Sequence, residues 1–350
     1  MITTTLGLLA ALATAQTPDL GLLAEAKVAV NPETKEITID LPAIPLPAHT
    51  GHHGGGGGLP PVVRARLPIA ASLFGFRVEL RDADGAPLPG SLIHHVNVID
   101  PHARELFLPI SRRVMAVGTE TGGQQLPWFL FGLPVTEGTE LVANAMLHNQ
   151  SDIDYPAVTT RIILRYVPGS RPWPVFDGYP FQLDVLFPVG DKSFPLPPGK
   201  SSKSFEARPS VAGKIVGIGG HLHDYGTRIE LTEVETGRVI WSAEPTLDAE
   251  GKVSGVPIGK LYGFFRVGAS ITPDMTYRVT VHYDNPTGEV LPEGGMGVVG
   301  GLFVPARGAT WPLADKTHAL YQQDAMHYLR LLALEPVAGE SQAAHQHPPR

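Results

Sequence analysis

The chain has no cysteine in its 350 residues. That absence excludes disulfides, cysteine zinc sites and thiol catalysis together, and leaves histidine and methionine as the softer metal ligands. Charge is sparse as well. Asp, Glu, Lys and Arg make up 17% of the chain and the formal net charge is −7, which argues against a nucleic-acid partner that needs clustered Lys and Arg. No apolar run beyond the N-terminus is long enough to predict a membrane span. The sequence also lacks a His-Glu-x-x-His motif, a Gly-x-Ser-x-Gly elbow and a phosphate-binding loop.

What is present points to an exported all-β protein. Leu6 to Leu12 is a short apolar run, and Ala13-Thr14-Ala15 follows as a small-x-small cleavage site, so residues 1–15 are expected to be a signal peptide and the mature chain secreted or periplasmic. Residues 16–62 form an N-terminal segment with strand-like alternation over Lys27 to Leu41, then a Gly/His-rich loop holding His49, His52, His53 and Gly54 to Gly58. The 39 glycines and 34 prolines otherwise lie between short apolar runs, as turns between strands would place them. One series of such runs fills residues 63–193 and another fills 205–310. The Pro/Ser-rich stretch 194–204 between them reads as a linker. The expected fold is two tandem antiparallel β-sandwiches of jelly-roll type. Residues 311–350 hold a predicted helix over Ala319 to Leu334 and a polar tail with His345 and His347.

Histidines are placed on this pattern in an informative way. His94 and His95 interrupt an apolar strand, His148 ends another, and His221-Leu222-His223 follows a glycine-rich strand. His282 lies in Val281-His282-Tyr283, and Met296 in Gly295-Met296-Gly297. Residues i and i+2 of a strand share a face, so His221 and His223 can converge on one ion. Consecutive residues point apart, so His94 and His95 can share an ion only if the strand bulges or ends there. Imidazole suits copper, zinc, iron and nickel, and a thioether favours copper. His282 is open to three readings: a ligand that replaces or joins Met296, a group that orients a ligand, or an ordinary strand histidine. With Asp284 and the His-x-His it also makes a conceivable zinc set.

The order His94-His95, His148, His221-x-His223, Met296, over about residues 60–305, resembles the copper type II ascorbate-dependent monooxygenases, the peptidylglycine α-hydroxylating and dopamine β-monooxygenase family. The resemblance implies two jelly-roll domains. It implies one copper held by His94, His95 and His148 that transfers electrons, and a second held by His221, His223 and Met296 that reacts with oxygen. It implies one or two copper ions as cofactor, ascorbate or a similar reductant, and a small-molecule substrate hydroxylated at a C–H bond. Where the peptide hydroxylase has an arginine, an asparagine and a tyrosine that grip a substrate carboxylate, this chain has Gly219, Val298 and Gly300; a glutamine is replaced by Met146. A small or apolar substrate without a required carboxylate is therefore expected, unless Arg228 or Arg266 reaches in. The alternatives are a non-catalytic copper carrier, buffer or sensor, and a sandwich that binds carbohydrate or protein without a working metal site.

Overall fold

The computed structural model describes residues 20–50, 58–118, 123–169, 172–186, 192–264 and 266–329. The expected signal peptide, His52 and His53, residues 330–334 of the expected helix, and the tail with His345 and His347 lie outside these residues. The fold is all-β, in two antiparallel sandwiches. Strand alternation explains why: Tyr277, Val279, Val281 and Tyr283 are buried while the residues between them are not.

The first sandwich pairs two sheets. One has the order Ala24–Glu25, Val63–Arg66, Glu140–Leu147, Ile93–Arg104, Ser111–Gly118. The other runs through Phe131–Val135, Ala71–Arg81, Tyr155–Pro168, Glu36–Asp40 and Lys27–Asn31. Ile37, Ile39, Val96, Val98, Leu141, Ala143, Ile162 and Leu164 lie in the core between the sheets. In the second sandwich, one sheet has the order Tyr179–Asp184, Gly297–Pro305, Gly213–Leu222, Gly259–Lys260. The other has Gly199–Ala207, Tyr277–Asn285, Gly226–Glu233, Val239–Ala243.

The boundary between the sandwiches differs from the expected one. Phe194–Leu196 and Gly199–Ala207 are strands of the second sandwich, and Leu196 is fully buried in its core. Tyr179–Asp184 also pairs in that sandwich, with Gly297–Pro305. Pro195 lies within the short edge strand Phe194–Leu196, and Pro197 and Pro198 fall between that strand and the next, where a missing ladder N–H is tolerated.

The joint itself is packed. Leu106 and Phe107, on the loop after the Ile93–Arg104 strand, belong to the second sandwich's core. Glu105 is buried beside them, and its carboxylate accepts N–H bonds from Phe107 at 2.7 Å and Gln182 at 2.8 Å. Burial pushes its pKa up, against those donors, which pull it down. Arg112 lies over the Tyr179 ring at 5.2 Å, so the Ser111–Gly118 edge of one sheet meets the Tyr179–Asp184 edge of the other.

The two sandwiches repeat one construction. Ile44-Pro45-Leu46-Pro47 in the first corresponds to Phe194-Pro195-Leu196-Pro197 in the second. Asn149 donates to the carbonyls of Pro47 (3.0 Å) and Ile153 (2.7 Å) and accepts from the Ser151 N–H (3.1 Å). Asn285 does the same with Pro197 (3.2 Å), Glu289 (2.8 Å) and Thr287 (3.1 Å). Each asparagine thus closes the turn after its strand and ties it to the Pro-Leu-Pro segment.

The helix Ala319–Tyr328 packs on the outer face of the first sandwich's five-stranded sheet, against Ile99 and Val142. It is fixed there by Asp324, which is fully buried and takes the Arg113 guanidinium. Tyr328 O also accepts from Asn144 Nδ2 at 3.1 Å.

Candidate metal centres

The first candidate centre depends on a strand irregularity. His95 pairs with Met146 and Ile93 with Leu147, so His94 is an extra residue with no cross-strand partner position. This bulge turns His94 and His95 both away from the core that takes Ile93 and Val96. Their ring centroids are 3.9 Å apart, and the His94 ring lies 5.5 Å from that of His148. His148 is buried and its N–H donates to Leu92 O at 3.0 Å. Gly58 and Thr50 bond the residues on either side of His148: Leu147 N donates to Gly58 O at 2.6 Å and Asn149 N to Thr50 O at 3.1 Å. The three predicted residues are therefore brought together.

The second candidate centre lies on the outer face of the Gly213–Leu222 sheet. Leu222 enters the core, which turns His221 and His223 outward, with ring centroids 5.4 Å apart. His223 Nδ1 sits 3.3 Å from Glu293 O. A donated Nδ1–H bond puts the ring's lone pair on Nε2, the arrangement common for a metal-ligating histidine. Leu222 pairs with Gly297, so Met296 falls opposite His223 at the end of the ladder.

Tyr283 holds these two backbones from inside the core, a role the sequence pattern did not signal. Its hydroxyl donates to Met296 O and accepts the N–H of Met296 at 3.0 Å and of His223 at 3.3 Å. Burial pushes the phenol pKa up and keeps it protonated as a donor. Tyr283→Phe is expected to destabilise the fold by about 1–3 kcal/mol through lost hydrogen bonds. On the reading that His221 and His223 hold copper, it should also loosen that ion while leaving His94, His95 and His148 unaffected; melting curves and copper titrations of the variant check both.

His282 does not join this centre, which corrects the expectation that it replaces or joins Met296. Val281 and Tyr283 on either side of it point into the core. His282 therefore projects from the outer face of the opposite sheet, with Nε2 3.6 Å from Glu230. Asp284 lies on that same strand, so the zinc set of His221, His223, His282 and Asp284 is not assembled either. The internal repeat explains the position. Gly226 pairs with Tyr283 and Arg228 with His282, with a bulge at Thr227 like the one at His94. His282 thus corresponds to Met146, and Arg228 to His95. Arg228 is held on that face by Ser242 (2.9 Å) and Glu230 (2.7 Å), away from the His221 face.

The floor beside the second centre is open and built largely of glycine, with the polar Gln182 and Lys260 on the flanking strands. A β-carbon on Gly217 would meet nothing within 4 Å, and one on Gly219 would meet only Ile258, at 3.5 Å. Val298 and Gly300 complete this floor on the neighbouring strand. A cavity of about 290 Å³ adjoins it, lined by Leu222, His223, Asp224, Tyr225, Val253, Leu291 and Gly294. Among the described residues no three His, Cys, Asp or Glu side chains already form a closed metal cage. The histidine rings lie edge to face within each group.

No protein-family model matches the chain, and no curated protein does. Among solved structures it is similar to PNGF-II at 8% identity and a TM-score of 0.35, over 76% of this chain and 65% of that one. The chain thus spans a little less than two thirds of that structure. A glycosylasparaginase from Flavobacterium meningosepticum, PNGase F, matches at 10% identity and a TM-score of 0.37, over 77% of this chain and 96% of that one. A chain of the Sulfolobus turreted icosahedral virus matches at 12% identity and a TM-score of 0.34, over 85% of this chain and 97% of that one. At these identities the likenesses concern the fold alone.

Proposed function

We propose that this is an exported copper protein that hydroxylates a C–H bond with dioxygen and a reductant such as ascorbate. The observation that carries the reading is the bulge at His94. It turns two consecutive histidines to one face beside His148, which a regular strand cannot do. The donor sets fit the metal: three imidazoles at one centre, two imidazoles and a thioether at the other. In this reading His94, His95 and His148 hold one ion, and His221, His223 and Met296 hold the second, at which the substrate reacts. Bound copper supplies one-electron redox chemistry. The overall conversion is R–H + O₂ + 2e⁻ + 2H⁺ to R–OH + H₂O. The residues of the chain fix the ligands: Tyr283 pins the backbone of His223 and Met296, and Glu293 O orients the His223 ring. The glycine floor and the absence of an arginine at Gly219 favour a small, apolar substrate without a carboxylate.

The test is oxygen consumption by the copper-loaded chain with ascorbate, comparing a glycine-extended peptide with neutral apolar compounds. Hydroxylated product from a neutral compound, lost in Met296→Ala, supports the reading. Turnover of the acid alone contradicts the substrate class. The exposure of His95 favours a second reading, a copper carrier, which predicts copper binding with no substrate-dependent oxygen uptake.

A further inference from the structure

Asp184 lies at the edge of the sheet that carries His221. It pairs with Val298, and Val298 pairs with His221, so the three form one row across adjacent strands. Phe181 and Leu183 enter the core, which turns Gln182 and Asp184 to the histidine-bearing face. The Asp184 side chain is wholly buried. One oxygen accepts the Leu186 N–H at 2.9 Å. The other faces Lys192 Nζ at 3.4 Å and takes no hydrogen bond from a described residue. A buried carboxylate held by so few partners is costly compared with an apolar residue of similar size, so stability does not account for it. Burial raises its pKa, and the Lys192 ammonium and the Leu186 N–H pull it back toward the charged form.

We propose that Asp184 is a positioning residue for the metal at His221 and His223, whose buried negative charge favours the doubly charged copper ion over the singly charged one. Two strand spacings separate the row's ends, about 10 Å. Asp184 is buried while Val298 and His221 are only partly so, which screens the charge in part over that distance. The attraction scales with the charge of the ion, so its logarithmic effect on Cu(II) is about twice that on Cu(I). Lys192 Nζ, 3.4 Å from the carboxylate, offsets part of the field. The inference rests on the copper reading above and adds that this centre is biased toward the oxidised ion by a residue that touches neither metal nor substrate.

The experiment uses the full chain carrying His94→Ala and His95→Ala, so that only the second centre loads. Cu(II) and Cu(I) affinities are measured by competition with chromophoric chelators. Asp184→Asn should weaken Cu(II) about 10-fold and Cu(I) about 3-fold, the squared ratio that the charges impose. Asp184→Glu, which keeps the charge, should hold the Cu(II)/Cu(I) ratio within about 2-fold of the parent. Equal weakening of both ions would mean that Asp184 acts by packing, and no change in either would remove it from the centre; both overturn the proposal. A parent that binds no copper at all overturns the copper reading itself, a separate result.

Discussion

The double variant His221→Ala/His223→Ala should lose one of two copper ions and keep the other. Removing groups that merely orient a metal ligand costs about 10–100-fold in affinity, so removing two ligands outright should cost at least about 100-fold. The structure makes the loss local. His221 and His223 face away from the core on either side of Leu222, and neither fills the sandwich interior. The variant should therefore melt close to the parent in the absence of metal, within about 0.5 kcal/mol as for surface changes. His94 and His95 lie on a strand of the other sandwich and His148 just after another, so their ion should remain at parental affinity. Copper content of the dialysed variant, set beside its metal-free melting curve, reads both predictions. Full retention of two ions would remove His221 and His223 from any metal site.

Asp324→Ala should destabilise the first sandwich strongly while leaving the histidines untouched. Asp324 is fully buried and holds Arg113, itself deep under the helix, in a two-pronged pair. Burial disfavours the charged Arg113, but the charge and hydrogen bonds of Asp324, with smaller help from Tyr328 and Glu105, together outweigh it, so the Arg113 pKa is raised. Removing one partner leaves an uncompensated buried cation, a loss of about 3–5 kcal/mol. The helix Ala319–Tyr328 would then lose its hold on Ile99 and Val142, and with it the Tyr328 O bond to Asn144. Asn144 is bonded to Asn97 at 3.1 Å, one outward-facing position from His95 and Met146. The variant should thus unfold at lower denaturant and bind copper more weakly at the first centre than at the second. Equilibrium denaturation with paired copper titrations tests this. A double replacement by apolar residues, Arg113→Met with Asp324→Leu, should recover much of the stability.

Period-two alternation explains what was legible in the sequence. It showed that Tyr277 to Tyr283 is strand-like, that His221 and His223 share a face, and that His94 and His95 need a bulge to do so. The bulge itself was not legible, since it is a property of the pairing with Met146 and Leu147. His282 was misplaced for a related reason. Alternation says that it points outward, but not from which of two sheets, and only the register with Arg228 places it opposite the His221 face. The Pro-rich stretch read as a linker because its prolines stand out. Leu196 between them, fully buried, is what ties it to the core. Tyr283 and Asp184 were silent because a tyrosine or an aspartate in a strand announces nothing until its row is known. The repeated Pro-Leu-Pro and Asn-x-Ser/Thr elements were visible as text, at Pro45 and Asn149 and again at Pro195 and Asn285. Their meaning came only with the hydrogen bonds that join them.

The central claim is that each sandwich holds one copper ion through the named histidines. The direct measurement is the metal content of the full chain, purified metal-free, loaded with copper and dialysed against a weak chelator. The account predicts two copper ions per chain, falling to one in His94→Ala/His95→Ala. A chain that retains no copper, or retains as much in that variant as in the parent, would contradict it.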